Sequence, residues 1–597
     1  MTGPSPSVVI AAAHIDSSVS YEPDEAIQLW NSGESPQPLA GWTISTASRH
    51  ATFPVTTTLT LPPGQGIWCA AEDTAFLHSF GQPAACAWDL AEAPTTEILD
   101  GGLTLSNGGG TIQLRNDRGK LMDALLYGDA DQSIEGWVGP PAQAYARGDI
   151  GAEGQVWRRK TVATSARPQD TDSAGDWAGD VADIDWGRRV YFPGWDLGER
   201  ALPYHGEDNA SVRVAVAPEG LFASMNDALL SAQSSLDLNF YVFEHPQLAQ
   251  TIAGLAQRGV RIRLLLEGSP AGGISDLQRW CVATMAAAGA DIRYLAATDD
   301  APNGYAPRYR YAHAKFGIVD GVRSFVGTEN LTWDSAPVAS GEPAGGRRGY
   351  YLFTDATSVA QELSRIFESD WRPETFLDLR PYEAAHPKYG GPPDGYVLPE
   401  PPKYWVDSAP FASAITASGQ GHFVVVSAPE NAMRPDDGLF ALLDRAGPGD
   451  EILVEQLYEH KYWGDSTSNP VADPNPRLER LIAAARRGAT VRVLLDSLFD
   501  DADGLRSNRA TVDYLNAIST AENLDLAAAV GNPTGGGIHA KLILVRVGGE
   551  SWSAVGSLNG GEVSHKVNRE VVLMVDHLLV YNRLFEVFQH DWALTLR

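Results

Sequence analysis

The stretch YAHAKFGIVDGVRSFVGTENLTWDS, residues 311–335, decides the fold, because a second stretch of the chain repeats its plan. That second stretch is GIHAKLILVRVGGESWSAVGSLNGGE, residues 537–562. Each copy starts with His-Ala-Lys, runs through two apolar segments joined by a turn, and ends the second segment in Gly-Thr/Ser-x-Asn. Two copies of one plan predict an internal structural repeat.

The sequence around both copies is repeated as well. Each copy is preceded by a Gly-Leu-Phe that opens an amphipathic helix, and is followed by a helix that ends in Phe-x-x-Asp-Trp. The strands LDLNFYVFEH and EILVEQLYEH are apolar on both faces and alternate with helices, which is typical of a sheet covered on both sides. We therefore predict two pseudo-symmetric α/β repeats with central mixed sheets, over 206–375 and 431–597, joined by a linker at 376–430.

The first 135 residues predict a different class of domain. Short segments with alternating polarity are separated by clusters of Gly, Pro, Asn and Asp, as in an all-β sandwich. The residues AIQLWNSGESPQPLAGWTIS and LTLSNGGGTIQLRNDRGKLMDALLYGD resemble the lamin tail domain, an immunoglobulin-like sandwich. The resemblance implies a module that binds or positions something and has no chemistry of its own.

Residues 136–205 are expected to form an acidic connector rich in Gly, Asp and Trp. Within it, DTDSAGDWAGDVADIDW, residues 170–186, suggests a calcium loop by its aspartates. The spacing does not match an EF-hand loop, which favours a solvated connector.

Composition limits the partners. The net charge of −30 disfavours nonspecific binding to nucleic acids, because such binding depends on neutralising phosphates. The three cysteines form no metal motif, and Cys69 and Cys86 are open to two interpretations, a disulfide or two buried thiols. No apolar run reaches the length of a membrane span, and the first residues lack the pattern of a signal peptide.

Six side chains carry the expected chemistry: His313, Lys315 and Asn330 in the first copy, and His539, Lys541 and Asn559 in the second. In a strand, residues i and i+2 share a face, so each His lies beside its Lys. One imidazole can attack phosphorus and form a phosphohistidine while the other transfers protons. Lysines and asparagines can hold the nonbridging oxygens, so no cofactor or metal is expected. A third His-x-Lys, His386-Pro387-Lys388, lacks the asparagine and is taken as incidental.

These residues match the motif of the phospholipase D superfamily, HxKxxxxD followed by GSxN, and the resemblance covers about residues 206–597. It implies a monomer with one intramolecular active site made by both repeats. Carried over, His313 is the nucleophile and His539 the general acid and base. Asp320 is assigned a structural role at a hairpin turn, and its equivalent in the second repeat is Arg546.

The carboxylates that orient the imidazoles are expected in unequal places. Asn568-Arg569-Glu570 matches the family's Asn-x-Glu, and Glu570 is expected to serve His539. The first repeat has Arg347-Arg348-Gly349 there, so the partner of His313 is open among Glu329, Asp334 and Glu342.

Three functions are compatible with this site. A phosphodiesterase or phosphatidyltransferase acting on phospholipid is favoured, with Tyr458, Tyr462 and Trp463 as a lip for peripheral membrane contact. A nuclease is the alternative suggested by Arg347 and Arg348. A binding or adhesion protein with degenerate repeats is the third, suggested by Arg546 and Gly349. The lamin tail resemblance favours an extracytoplasmic location, secreted or at the cell surface, over a cytoplasmic one.

Overall fold

Alternating apolar residues bounded by turn residues form the strands of the first 160 residues. The computed structural model describes residues 8–161, 167–177, 190–198, 200–297, 300–301, 304–305, 307–338, 345–402, 410–501 and 503–595. The chain divides into two compact units, one of residues 1–195, 297–308 and 373–378, and one of residues 196–296, 309–372 and 379–597. The second unit contains the second predicted repeat and most of the first, whose residues 297–308 and 373–375 belong to the first unit.

The first unit is built from short strands and one helix: β1 (Val8–His14), β2 (Ala26–Asn31), β3 (Gln37–Pro38), β4 (Thr43–Ser45), β5 (His50–Thr52), β6 (Thr60–Leu61), β7 (Gly66–Glu72), α1 (Asp73–Phe80), β8 (Cys86–Leu90), β9 (Glu97–Ile98), β10 (Asp100–Gly101), β11 (Gly109–Arg115), β12 (Leu121–Gly128) and β13 (Val156–Arg158). Two sheets, of order β13-β1-β2-β7-β8-β9 and β10-β5-β4-β11-β12, enclose an apolar core that includes Trp42 and Trp88. The predicted immunoglobulin-like sandwich is confirmed.

Two open points in this unit are settled by its contacts. Cys69 and Cys86, paired on the parallel strands β7 and β8, form a disulfide. In the segment predicted to be a solvated acidic connector, Asp172 is exposed, as expected, whereas Asp176 is buried. Arg159 lies 3.3 Å from Asp176, 2.9 Å from Asp170 and 2.7 Å from Asp123. The single guanidinium offsets part of the charge of these three carboxylates. Residues 178–186 lie outside the described residues.

The first repeat runs through β14 (Tyr204–Ala217), α2 (Leu221–Leu230), β15 (Ser235–Phe240), β16 (Phe243–Glu244), α3 (Pro246–Gln257), β17 (Arg261–Glu267), α4 (Asp276–Ala287), β18 (Asp291–Leu295), β19 (Phe316–Val319), β20 (Arg323–Gly327), β21 (Leu331–Thr332), β22 (Gly349–Thr354), α5 (Thr357–Asp370) and β23 (Leu379–Pro381). Helices α3 and α4 bury apolar faces against the sheet in a core with Leu238, Leu264 and Phe325. The strands are apolar on both faces because helices cover both.

The second repeat follows the same order through β24 (Ile415–Ala428), α6 (Gly438–Arg445), β25 (Glu451–Gln456), α7 (Pro476–Arg486), β26 (Thr490–Asp496), α8 (Asn508–Glu522), β27 (Leu526–Gly531), β28 (Lys541–Val547), β29 (Glu550–Gly556), α9 (Glu562–Lys566), β30 (Glu570–Asp576) and α10 (Leu578–Thr595). Its core repeats the first, with Val454, Val493 and Ile543 beneath α6 and α7. Among the described residues no helix combines the length and apolarity needed to cross a bilayer.

The two central sheets are one sheet. Its 15 strands run in the order β23-β18-β17-β15-β19-β20-β22-β14-β24-β30-β29-β28-β25-β26-β27. The join is the antiparallel pair β14 and β24, in register from Tyr204 opposite Val425 to Val214 opposite Ile415. The predicted mixed sheets are confirmed, and these long first strands fuse them edge to edge because each leaves an edge that the other can pair.

Candidate active site

Each His-Ala-Lys lies in an extended segment just before a strand. β19 begins at Phe316, after Lys315, and β28 begins at Lys541. The prediction that both pairs lie within strands is therefore wrong for His313, Lys315 and His539. In each pair the Lys still lies two positions after the His, and the Ala between them, Ala314 or Ala540, is buried.

The segments before the strands are held by the opposite repeat. The backbone N–H of His313 donates to the carbonyl of Arg569 at 3.0 Å, and that of His539 donates to the carbonyl of Arg348 at 2.9 Å. Single parallel bridges, Ala312 with Arg569 and Arg348 with Ile538, flank these bonds. Each imidazole is thus positioned by the backbone of the other half of the unit.

Each imidazole is also hydrogen-bonded to a carboxylate of the opposite repeat. His313 Nδ1 lies 2.8 Å from Glu570 Oε2, and His539 Nδ1 lies 3.1 Å from Glu329 Oε1. The expectation that Glu570 serves His539 and that a carboxylate of the first repeat serves His313 is wrong. Glu570, the first residue of β30, reaches His313, and Glu329, which follows β20, reaches His539.

The other two candidates are not partners of His313 in the described structure. Asp334 instead lies 2.7 Å from Arg347 in an ion pair. Glu342 lies outside the described residues.

The lysines are buried beside the imidazoles. Lys315 Nζ donates to the carbonyl of His313 at 2.6 Å, and Lys541 Nζ donates to that of His539 at 2.7 Å. Burial lowers the pKa of Lys315 to about 7 and that of Lys541 well below its ordinary value, although Glu570 and Glu329 act against this. Lysines held in this way regain their charge when an anion binds.

The asparagines complete each set. Asn330 and Asn559 follow the return strands β20 and β29 and are buried. Over the described part of the chain, neither amide oxygen Oδ1 has a hydrogen-bond partner. Buried polar atoms are nearly always partnered in folded proteins, so each of these two oxygens is able to accept a hydrogen bond from a donor that enters the site.

The two sets share one electrostatic environment. Burial lowers the pKa of His313 to about 4, and Lys541 of the other repeat contributes to this. Burial lowers the pKa of His539 to about 3, with Lys541 acting in the same direction. Burial acts to raise the pKa of Glu329, but His539, Lys541 and hydrogen bonds lower it to about 2. At neutral pH both imidazoles are neutral beside an ionised carboxylate.

Sequence reasoning missed one aromatic neighbour of the site. The ring of Tyr241, at the end of the first central strand, lies 4.8 Å from that of His313, and the Lys315 ammonium lies 5.3 Å from it. Tyr241 lies three residues before Glu244-His245, a dipeptide that recurs as Glu459-His460 in the second repeat, and this shared dipeptide was the available signal.

The aromatic lip predicted for membrane contact does not form as expected. Trp463 is fully buried with Met433 and Phe440 in a small apolar cluster, and Tyr462 is buried beside it. Tyr458 alone is partly exposed and stacks on His460, with ring centroids 5.0 Å apart. An apolar ring is buried where a core can accept it, so this segment is mainly core.

The residues at the motif's Asp position both have local contacts. Asp320 has a left-handed backbone, φ 55°, and accepts hydrogen bonds from the N–H groups of residues 233–235. Arg546 lies over the ring of Tyr581, 4.7 Å from its centroid. These contacts are structural, so the Arg at this position is no sign of a lost active site.

The chain matches two known families. The family described as "Cardiolipin synthase, PLD-like domain" matches residues 225–371 and 467–592. The Lamin Tail Domain family matches residues 2–129.

Curated relatives are mitochondrial cardiolipin hydrolases. The protein of Xenopus tropicalis is 28% identical over 158 residues, which is 26% of this chain and 62% of the relative. The protein of Homo sapiens is 28% identical over 26% of this chain and 52% of the relative. The protein of Mus musculus is 30% identical over 24% of this chain and 55% of the relative. The chain therefore spans only about half to three fifths of the length of these relatives.

Solved structures give weaker likenesses. A phospholipase D family member, Nuc from Salmonella typhimurium, is 19% identical over 29% of this chain and 98% of its own, with a TM-score of 0.23. A phosphatidylserine synthase from Haemophilus influenzae is 8% identical over 63% of this chain and 86% of its own, with a TM-score of 0.43. TM-scores this low carry no argument about function.

Proposed function

We propose that this chain, a member of the phospholipase D superfamily with a lamin tail domain, cleaves phosphodiesters at the crossed His-Lys-Asn site. One observation carries the proposal: each imidazole is bound through Nδ1 by a carboxylate of the opposite repeat. A carboxylate that accepts a hydrogen bond from Nδ1–H keeps the proton on Nδ1, so the Nε2 lone pair is free for attack or proton transfer.

The reaction proceeds in two balanced steps. His313 Nε2 attacks phosphorus, a P–N bond forms, and the P–O bond to the leaving alcohol breaks. The bound diester anion raises the pKa of His539, which takes up a proton from solvent and gives it to the leaving oxygen. Water next attacks the phosphohistidine while His539 takes a proton from it, the P–N bond breaks, and a monoester leaves. An alcohol in place of water gives transfer.

The lysines and asparagines hold the phosphoryl oxygens. Lys315, Lys541, Asn330 and Asn559 supply donors where charge develops in the five-coordinate transition state. Glu570 and Glu329 are each engaged by an imidazole, so the site presents donors rather than anionic ligands to the substrate. This supports a reaction that needs no metal.

A phospholipid is the proposed substrate class. The matching family is described as cardiolipin synthase-like and the curated relatives as cardiolipin hydrolases. The net charge of −30 also disfavours polyanionic nucleic acid.

The test is a substrate panel with single-site variants. Wild type, His313→Ala and His386→Ala are assayed on vesicles of phosphatidylcholine, phosphatidylglycerol and cardiolipin, on single-stranded DNA, and on bis(4-nitrophenyl) phosphate, with and without a chelator. We expect lipid turnover that persists with chelator and with His386→Ala and is lost in His313→Ala. Turnover of DNA alone would favour the nuclease, and no turnover by wild type would favour a degenerate binding protein.

The order of the histidines is tested by trapping. An aryl leaving group needs no proton, so His539→Ala should form the phosphohistidine from bis(4-nitrophenyl) phosphate but hydrolyse it slowly. We expect an alkali-stable adduct on His313 by mass spectrometry. An adduct on His539 in the His313→Ala variant would reverse the assignment.

A further inference from the structure

Glu329 occupies a position where the other repeat has an apolar residue. It lies in the turn Gly327-Thr328-Glu329-Asn330, and the equivalent of Glu329 in Gly556-Ser557-Leu558-Asn559 is Leu558. Leu558 belongs to the apolar core of its repeat, whereas Glu329 is a fully buried carboxylate. Burying a charge is costly unless it is paired, so this carboxylate needs partners.

Three side chains supply those partners. His539 Nδ1 lies 3.1 Å from Glu329 Oε1, Thr328 Oγ1 donates to the same oxygen at 2.9 Å, and Ser335 Oγ donates to Oε2 at 2.8 Å. Lys541 Nζ also lies 3.1 Å from His539 Nδ1, and it donates to the carbonyls of His539 and Thr328. Among the described residues the carboxylate of Glu329 has hydrogen bonds to side chains, and it accepts one from the Nδ1–H of His539.

Gly349 is the complementary position. It lies opposite Ala217 in the pairing of β22 with β14, and Glu570 lies opposite Ala428 in the pairing of β30 with β24, so both occupy the same register. The backbone of Gly349 is not left-handed, and glycine is therefore not required there for its conformation. A Cβ at this position would overlap the carboxylate of Glu329, so glycine is required for space.

We infer that the carboxylate positioning His539 has moved from strand position 349 to turn position 329, and that Gly349 is the change that makes room for it. Glu329 is then the positioning residue of one half-site and Glu570 that of the other. The catalytic consequence of this inference depends on the proposed function, whereas the geometry does not. It also gives Gly349 a structural role, so this glycine does not indicate that the first repeat is degenerate.

Complementation tests the inference. The variants are Glu329→Leu, which copies the second repeat, Gly349→Glu, the double variant, and Glu570→Leu as the matched control for His313. The imidazole ¹⁵N shifts of His539 and His313 report which nitrogen carries the proton, and turnover of an aryl diester is measured alongside.

We expect Glu329→Leu to move the proton of His539 to Nε2, to leave His313 unchanged and to lower turnover by roughly 100-fold. The double variant should return the proton to Nδ1 and recover at least about tenfold in turnover. Gly349→Glu alone should lose activity, because two carboxylates compete for one space. Glu570→Leu should alter the tautomer of His313 and leave that of His539.

An unchanged His539 tautomer in Glu329→Leu would overturn the inference, as would a folded double variant in which Nδ1 stays deprotonated. Should Glu329→Leu fail to fold, Glu329→Gln keeps the volume and an acceptor for Nδ1–H. It should keep the tautomer while turnover falls, and a tautomer change in it would count against the inference. If wild type turns over no diester, the proposed function fails, and the ¹⁵N shifts still decide the role of Glu329.

Discussion

At the scale of single residues, the buried lysines are the most sensitive reporters of the site. Lys315 has its pKa lowered to about 7 by burial, so near neutral pH it is only partly charged. The cost of desolvating its ammonium is offset when an anion arrives beside it. Anion binding and proton uptake are therefore linked at this residue.

This linkage predicts how anion affinity depends on pH. Sulfate keeps a constant charge, so its affinity should fall as pH rises above 7, by at least about tenfold per pH unit once Lys315 is mostly neutral. Lys315→Arg keeps its charge throughout, and should reduce the slope of log affinity against pH by about one between pH 7.5 and 9. Isothermal titration calorimetry measures both. Equal slopes for the two proteins would contradict the assignment of this charge to Lys315.

At the scale of elements, the hairpin of β19 and β20 is fixed by its turn. Asp320 adopts the left-handed conformation that Asp tolerates better than most residues, and its carboxylate binds the N–H groups that precede β15. Gln233 and Ser234 are exposed and Ser235 is half-buried, so water can replace part of what is lost, and each bond contributes about 0.5–1.5 kcal/mol.

Asp320→Ala should therefore lower the free energy of unfolding by about 2 kcal/mol, and Asp320→Asn by less, since Asn keeps an acceptor and the backbone preference. Turnover by the folded proteins should be unchanged. Urea denaturation followed by tryptophan fluorescence gives the stability. A folded Asp320→Asn protein with a 100-fold loss of turnover would show that the Asp acts in the reaction instead.

Part of the fold and of the candidate site can be predicted from the sequence, and part cannot. The sandwich, the repeats and their His-Lys-Asn sets follow from short-range patterns, because alternation and i, i+2 spacing are local properties. The carboxylate partners do not, because Glu570 meets His313 across 257 positions of the chain and no local pattern records that contact. The burial of Tyr462 and Trp463 could not be predicted for a similar reason, since whether an aromatic ring is buried depends on distant elements.

At the scale of the whole second unit, a buried Arg of each repeat forms an ion pair with the opposite repeat, as each imidazole does with a carboxylate. Arg348 lies 2.6 Å from Asp591 and 2.7 Å from Glu219, and Arg569 lies 2.8 Å from Asp370 and 2.7 Å from Glu430. Each Arg thus pairs with the final helix of the opposite repeat. Breaking one partner of a buried pair leaves an uncompensated charge, which typically costs 3–5 kcal/mol.

Asp591→Asn should lower the free energy of unfolding by about 3 kcal/mol, and Asp370→Asn by a similar amount. The control is Asp444→Asn, which removes the exposed pair of Asp444 with Arg480 and should cost under about 1 kcal/mol. Urea midpoints provide the comparison. A loss at Asp591 no larger than at Asp444 would mean that the crossed pairs do not hold the repeats together.

The backbone bonds, carboxylates and ion pairs that join each repeat to the other affect how the two repeats evolve. A gene fragment that encodes one repeat encodes an imidazole without the carboxylate that binds it, since each His is paired with a Glu of the other repeat. A mutation in one repeat therefore changes the selection acting on the other, and the two copies can diverge only in step.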